Sequence, residues 1–339
     1  MLIKVLLSFV PPPFTTDLER NLFYGKAFWS HGFQVYELTP IEIDSSYNIT
    51  DPSTGQRAYP HTTYDYPSIQ LAFWAIISIL PFAAFFGKLV LLIFDFFNFF
   101  LIRSILKTSG YPSEGNTIAW AYFLLMTLIS NIEGQVEGVT VFFMLLAILI
   151  HQERPLWAYF IIGLGFNWKY IPLLCLLYLV LKNRQSFTLI VQGIGVFILT
   201  TAFLSFPLLF GSYILRYVSY LGNLPNSQIP SNPMTLGRET TFLSSLGLLL
   251  FILFLTYRLI SERKNSVNAV MLFPLILFFK YYRFAFPWYW VWLFPVTLVL
   301  DRKLRVQVWA GLGVLFPIYV IDFVSYTAGW GFVFRFFGL

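Results

Sequence analysis

Cysteine and charge are both scarce in this sequence. Charged side chains make up 11% of the 339 residues, against about 25% in an average soluble domain. The one cysteine, Cys175, stands inside an apolar run, so neither a disulfide framework nor a cysteine-based metal site is expected. The three histidines are dispersed and match no HxxxH or HExxH spacing, which argues against a transition-metal site. No glycine-rich phosphate loop precedes a helix, so nucleotide hydrolysis and Rossmann chemistry have no support.

Long apolar segments are what the sequence has instead. Hydrophobic residues make up 58% and aromatic residues 20% of the chain, and the mean hydropathy is +0.70. The apolar runs are continuous and lack the two-residue alternation of a membrane β-barrel, so helices are predicted to span the membrane. We expect an all-α, polytopic transmembrane helix bundle of about 10–11 spans. The net charge of +6 fits basic cytoplasmic loops and needs no nucleic-acid partner.

Composition divides the chain into three parts. Residues 1–13 begin with the apolar run MLIKVLLSFV, which is shorter than the roughly 20 residues that cross a bilayer. We expect either a short first span supported by its neighbours or a span truncated relative to a longer parent. Residues 14–68 are the large polar region, expected as an extracytoplasmic loop that carries an acidic motif. Residues 69–339 are expected to form the transmembrane helix bundle.

Basic loops set the expected orientation of this bundle. When they face the cytoplasm, the polar groups that are costly at membrane depth collect on the outer face. One crossing then fits between the acidic loop and Arg103, yet residues 69–86 and 88–106 are both apolar. We therefore predict that residues 69–86, interrupted by Pro81, are re-entrant or interfacial, the alternative being two ordinary spans. The basic loops contain Arg103, Lys107, Arg154, Lys182, Arg184, Arg258, Arg263, Lys264, Arg302, Lys303 and Arg305.

Two carboxylates follow the first apolar run, in the stretch TTDLER. Asp17 and Glu19 are either acids in the first turn of a helix capped by Thr15 or Thr16, or a catalytic pair. In the catalytic interpretation, one carboxylate accepts a proton from an acceptor hydroxyl, and the other orients it or raises its pKa.

Two further polar elements are expected on the outer face. In TYDYPS, Asp65 and Tyr66 precede a helix, where Asp65 either caps the helix or lines the same pocket with Tyr66. In NIEGQVEGV, Glu133, Gln135 and Glu137 form either an ordinary two-glycine turn or a set of hydrogen-bonding groups for sugar hydroxyls.

Three cations complete the candidate site. Lys169 in GFNWKY either snorkels to the interface or meets phosphate oxygens as a point charge. Arg283 precedes an aromatic helix and is either an interfacial anchor or the guanidinium that binds a lipid-linked phosphate. Arg238 either pairs with Glu239 or lines the cavity beside an acceptor or sugar.

The order of these elements resembles the GT-C superfamily of polyprenyl-phosphate-sugar-dependent glycosyltransferases. Its nearest look-alikes are the first mannosyltransferase of glycosylphosphatidylinositol assembly and the glucosyl- and mannosyltransferases of lipid-linked oligosaccharides. The resemblance matches Asp17 and Glu19, as D-x-E where close relatives have D-x-D, to the catalytic acidic motif. It matches Tyr66 to the tyrosine-proline element, Lys169 to the helix-hairpin lysine and Arg283 to the arginine-aromatic element.

The resemblance implies a membrane hexosyltransferase, such as a mannosyltransferase, with an extracytoplasmic active site. A polyprenyl phosphate such as dolichol phosphate would carry the donor sugar, and a lipid-linked glycan or a protein would accept it by inverting attack. No cofactor is expected, although a divalent cation held by the acids of the first loop is compatible with the sequence. The membrane would be the plasma membrane of a prokaryote or the endoplasmic reticulum. The alternatives are a transporter or flippase of lipid-linked glycans, for which no internal repeat is found, and a non-catalytic subunit of a glycosyltransferase complex.

Overall fold

The prediction of an all-α fold is confirmed. A computed structural model describes residues 2–12, 16–50, 56–209, 242–261, 266–281 and 287–327, and within these ranges every extended regular element is a helix. An isolated antiparallel bridge joins Thr50 and Arg57. The chain divides into two compact units, Met1–Leu179 with Asn183–Gly222 and Val180–Lys182 with Asn223–Leu339.

The helices follow the apolar segments of the sequence closely. A 3-10 helix, Gly32–Tyr36, follows α2, a π-helix, Thr127–Ile132, continues α6, and a second 3-10 helix, Pro287–Trp292, precedes α13. In chain order the α-helices are α1 Leu2–Leu7, α2 Asp17–His31, α3 Pro40–Ile43, α4 Ser68–Ser78, α5 Ala83–Thr108, α6 Pro112–Met126, α7 Glu137–Ile150, α8 Pro155–Phe166, α9 Leu173–Lys182, α10 Phe187–Leu209, α11 Phe242–Ser261, α12 Ser266–Tyr281, α13 Leu293–Leu298 and α14 Arg302–Thr327.

Two described helices are long and apolar enough to cross a membrane, α5 and the Phe187–Phe206 part of α10. Six further apolar helical stretches have 10–17 residues, and some are parts of longer elements, such as Leu250–Leu259 within α11. The expected number of about 10–11 spans therefore stays a prediction.

The segment predicted to be re-entrant or interfacial does not form one continuous helix. α4 ends at Ser78 after 11 residues, which is about 16 Å of helix and half of a hydrocarbon core. The chain then turns at Phe82, which takes a left-handed conformation with φ 53° and ψ 45°, and α5 starts at Ala83. Whether this segment is re-entrant, interfacial or an ordinary span stays a prediction.

The polar region between α1 and α4 is folded around its aromatic residues. Tyr24, Tyr36 and Tyr64 are each at most 1% exposed and form one buried cluster. The hydroxyl of Tyr24 donates to the carbonyl of Thr62 at 2.8 Å, and that of Tyr64 donates to Oδ1 of Asn21 at 3.2 Å. These bonds attach the end of the loop to α2.

α2 lies directly on α4. Gly25 faces the backbone of Trp74 so closely that a Cβ atom at this glycine would overlap the tryptophan carbonyl. Next to this contact, the indole N–H of Trp29 donates to the carbonyl of Ala75 at 2.9 Å. The close approach of these two backbones fixes α2 against α4.

In the second unit, α11 packs against α12 and α14. Arg305 was expected in a basic cytoplasmic loop, but it is 1% exposed. Its guanidinium donates to the carbonyls of Leu298 and Leu300 at 3.2 and 3.0 Å, which satisfies the carboxyl end of α13.

We predict that Gly25→Ala destabilises the protein by about 1–3 kcal/mol or more, because the new methyl group overlaps the backbone of Trp74. Gly195→Ala is the matched control, since a Cβ at Gly195 in α10 meets open space. Alanine in a helix is otherwise favoured over glycine by about 0.5–1 kcal/mol. Thermal unfolding of both variants in the same detergent checks this, and an equal melting temperature for the two contradicts the packing described.

Candidate active site

The five residues from Glu133 to Glu137 form the turn at the centre of the candidate site; the first four connect the π-helix to α7, and Glu137 is the first residue of α7. The turn bends at Gly134, which has a φ of 69°. A Cβ atom at Gly134 would lie 2.9 Å from Cδ2 of Leu18, so the turn packs directly against the first turn of α2. A residue with a side chain would be strained here both by its backbone and by this contact.

The contact brings Asp17 beside the turn. Asp17 is the first residue of α2 and is partly buried, and Nε2 of Gln135 donates to its Oδ2 at 3.0 Å. The positive end of the helix dipole favours a carboxylate at this position. Thr16 makes no side-chain capping bond, and Thr15 lies outside the described residues. Asp17 is therefore held by an amide from a distant part of the chain.

Glu19 takes a different position from Asp17. Its side chain is exposed, and its carboxylate interacts electrostatically with the Tyr47 hydroxyl in the folded loop. The hydrogen bond that orients Asp17 comes from Gln135, although the sequence suggested Glu19 for that role.

Lys169 forms a buried ion pair with the last residue of the turn. Nζ of Lys169 and Oε1 of Glu137 lie 2.6 Å apart, and the two side chains are 5% and 0% exposed. The same ammonium lies 5.5 Å from the ring centroid of Tyr66, within the range of a cation–π contact. Lys169 thus meets Glu137 and Tyr66, two of the residues that the sequence grouped with it.

A second ion pair holds Asp65 to α2. Nη2 of Arg20 lies 2.5 Å from Oδ1 of Asp65, and its guanidinium lies 4.8 Å from the ring centroid of Tyr59. Burial opposes the charge of Arg20, but the carboxylates of Asp65 and Asp17 hold the pKa of its guanidinium well above its usual range. Sequence reasoning missed Arg20, although its place three residues after Asp17 on a helix was a usable signal.

Lys88 is another cation that sequence reasoning missed. It is 1% exposed, and its ammonium donates to the carbonyls of Val10 and Ile132 at 2.6 and 2.5 Å. Glu133, the first residue of the turn, is 5% exposed and interacts electrostatically with Lys88. Lys88 therefore joins the segment after α1 to the end of the π-helix, just before Glu133.

Polar groups of α5 fix the start of α7. Asn98 donates through Nδ2 to the carbonyl of Gly138 at 2.7 Å and to the hydroxyl of Tyr122 at 2.8 Å. Asp95 is fully buried, accepts a hydrogen bond from Ser130 in the π-helix at 3.3 Å, and occupies the space that a side chain at Gly138 would need. π-Helical turns and buried membrane carboxylates are frequent at functional sites. This network therefore favours a functional role for the turn beyond linking two helices.

Two predicted site residues, Arg238 and Arg283, lie outside the described residues. The structure brings Asp17, Asp65, Tyr66, Gln135 and Glu137 together with Lys169 and Glu133 around one turn. Within the described ranges, no three His, Cys, Asp or Glu side chains form a group that could hold a metal ion.

Residues 64–281 match the model of glycosyltransferase family 87. The chain belongs to this family. Comparison with curated proteins and with solved structures finds no match. Membership establishes a membrane-associated glycosyltransferase enzyme, which supports the transferase interpretation over the transporter and the non-catalytic subunit. The match includes the turn and Lys169, whereas Asp17 and Glu19 precede it.

In this family 87 enzyme, we predict that Glu137→Leu and Lys169→Met each destabilise by about 3–5 kcal/mol, because each leaves a buried charge unpaired. The double variant is expected to lose far less than the sum, since it removes both charges. Unfolding of all four proteins in one detergent measures the coupling. Additive losses would contradict the buried ion pair.

Proposed function

We propose that this glycosyltransferase moves a hexose, such as mannose, from a polyprenyl-phosphate donor to the hydroxyl of a lipid-linked glycan or a protein. Two contacts of the turn from Glu133 to Glu137 carry the proposal. One residue of the turn bonds a carboxylate, and another pairs with a cation. Gln135 bonds Asp17, and Glu137, two residues further, pairs with Lys169. An acid–base group and a phosphate-binding group are the two parts that this transfer requires.

Asp17 is the proposed general base. The acceptor oxygen attacks the anomeric carbon while its proton passes to Asp17, and the bond from that carbon to the phosphate oxygen breaks. One displacement inverts the configuration at the anomeric carbon and needs no covalent enzyme intermediate. The bond from Gln135 to Oδ2 orients the carboxylate for this transfer, and the partial burial of Asp17 limits competition by water.

Lys169 is the proposed group for the leaving phosphate. An ammonium meets phosphate oxygens as a point charge, and here it is paired with Glu137. Because the ion pair holds Lys169 in place before the donor arrives, little reorganisation is needed when phosphate oxygens approach its ammonium. Arg283 is proposed to assist as a guanidinium that binds phosphate in two-point contact.

The polar groups around these two are proposed to bind sugar or acceptor hydroxyls. Tyr66 lies beside Lys169, and Asp65 is about one-third exposed, with a side-chain exposure of 29%, while it pairs with Arg20. Glu133, Gln135 and Glu137 supply oxygens and an amide from the turn itself, and Arg238 is proposed for the same group.

The proposed setting is a multi-pass membrane protein with this site on the extracytoplasmic side, in a prokaryotic plasma membrane or the endoplasmic reticulum. The prenyl tail of the donor would lie in the bilayer, and its phosphate would reach the interface at the turn. We propose no cofactor for the transfer, because a monophosphate leaving group is met by cationic side chains.

Replacing Asp17 by Asn is expected to lower kcat by about 10²–10⁴-fold while donor binding stays within a few-fold, because a carboxamide keeps the shape and cannot take the proton. Single-turnover transfer and binding of the donor lipid measure the two effects separately. Asp44→Asn is the matched control, since Asp44 is exposed in the same folded loop and bonds Ser46.

Two further variants separate the roles around Asp17. Gln135→Leu is expected to lower kcat, because it releases the orientation of Asp17. Glu19→Gln, at the exposed position, is expected to cost less than Gln135→Leu. Unchanged transfer by the Asp17→Asn variant would remove Asp17 as the base, and a larger loss in Glu19→Gln than in Asp17→Asn would assign that role to Glu19.

A further inference from the structure

A basic cavity lies at the far end of α5 from the candidate active site. Its volume is about 450 Å³, within the range of small-molecule sites. Two of the six residues that line it are cationic and none is acidic. The lining residues are Phe100, Arg103, Ser104, Lys107, Pro112 and Asn116.

Helix periodicity explains why these side chains converge. Arg103 and Lys107 are four residues apart on the last turns of α5, and Ser104 lies between them. α6 begins at Pro112 and turns back against α5, which brings Asn116 to the same cavity. The guanidinium of Arg103 is 5.5 Å from the ring centroid of Phe99, a contact that steadies it.

The cavity is separate from the proposed transfer site. Lys88, which bonds the end of the π-helix beside the turn, precedes Arg103 by 15 residues on the same helix. This spacing is about 22 Å along the axis of α5, and Lys107 is one turn further. A lipid phosphate bound at the turn therefore does not reach this cavity.

Exposed apolar side chains continue from the cavity along both helices. Phe96 and Phe100 precede Ser104 at four-residue intervals on α5, and Trp120 and Leu124 follow Asn116 at the same intervals on α6. These four apolar residues are 39%, 44%, 55% and 65% exposed, respectively. Two rows of apolar side chains thus start where the cationic cavity ends.

We propose that this cavity binds the phosphate headgroup of an anionic phospholipid, whose acyl chains lie along these two rows. Arg103 and Lys107 neutralise the phosphate, and Ser104 and Asn116 hydrogen-bond its oxygens. A soluble phosphate compound would use the same polar groups but would leave the apolar rows uncovered. The proposal does not depend on the identity of the sugar donor or acceptor.

Native mass spectrometry of the full chain released from nanodiscs tests the proposal. The nanodiscs contain equal amounts of phosphatidylglycerol and phosphatidylcholine, and the ratio of the two lipids retained on the protein is measured. We expect phosphatidylglycerol to be enriched on the wild type, and Arg103→Gln with Lys107→Gln to reduce that enrichment by roughly tenfold. Arg154→Gln with Lys303→Gln removes one arginine and one lysine at other exposed positions and is expected to keep it.

A steric variant distinguishes a built site from diffuse charge. Ser104→Leu places a bulky apolar side chain among the lining residues, removes the hydroxyl and keeps both cations, so it is expected to lose the enrichment as well. It also supplies the result if the variant that lacks both cations, Arg103→Gln with Lys107→Gln, fails to fold. Excess glycerol 3-phosphate is expected to leave the retained lipid in place.

Three results would overturn the proposal. The first is equal retention of the two lipids by the wild type. The second is enrichment that survives in Ser104→Leu or falls equally in the Arg154 and Lys303 control. The third is displacement of the lipid by glycerol 3-phosphate, which would assign the cavity to a soluble phosphate compound.

Discussion

The buried ion pair between Lys169 and Glu137 is the interaction on which the rest of the candidate site depends. Two charges removed from water are stable only when each faces the other at close range, and here the two atoms are 2.6 Å apart. Because Glu137 is the first residue of α7 and Lys169 lies between α8 and α9, the pair fixes three helices at one point. The pair also fixes the turn that ends at Glu137, in the position where Gln135 donates a hydrogen bond to Asp17.

Close packing supports this pair from the side of α2. The turn approaches the side chain of Leu18 through Gly134, and α2 approaches the backbone of Trp74 in α4 through Gly25, so at both contacts a glycine permits close packing. The ion pair of Arg20 and Asp65 attaches the end of the loop to the same helix. Asp17 is held by this arrangement although it belongs to a polar loop, and a rigid first turn suits the general-base role proposed for it.

The sequence predicted the helical segments and several of the polar residues that contact one another, because apolar runs and the polar stretches between them depend on short-range composition. It failed where a partner comes from elsewhere in the fold. Lys88 appeared as part of an apolar run, and its two carbonyl partners belong to other segments. Glu19 appeared equivalent to Asp17, yet their positions on α2 leave one exposed and the other beside Gln135. The start of α5 at Ala83 depends on the left-handed backbone of Phe82, which local propensity disfavours.

Membership of glycosyltransferase family 87 makes the identity of the donor the central question for this site. A carboxylate and a buried cation that are held by contacts with one turn fit the proposed monophosphate leaving group and inverting displacement. The most direct measurement incubates the purified protein in nanodiscs with polyprenyl-phosphate hexoses and with nucleotide sugars. Mass spectrometry detects the product, and NMR assigns its anomeric configuration. The account predicts transfer from a polyprenyl-phosphate hexose with inversion, and transfer from nucleotide sugars alone, or with retention, would contradict it.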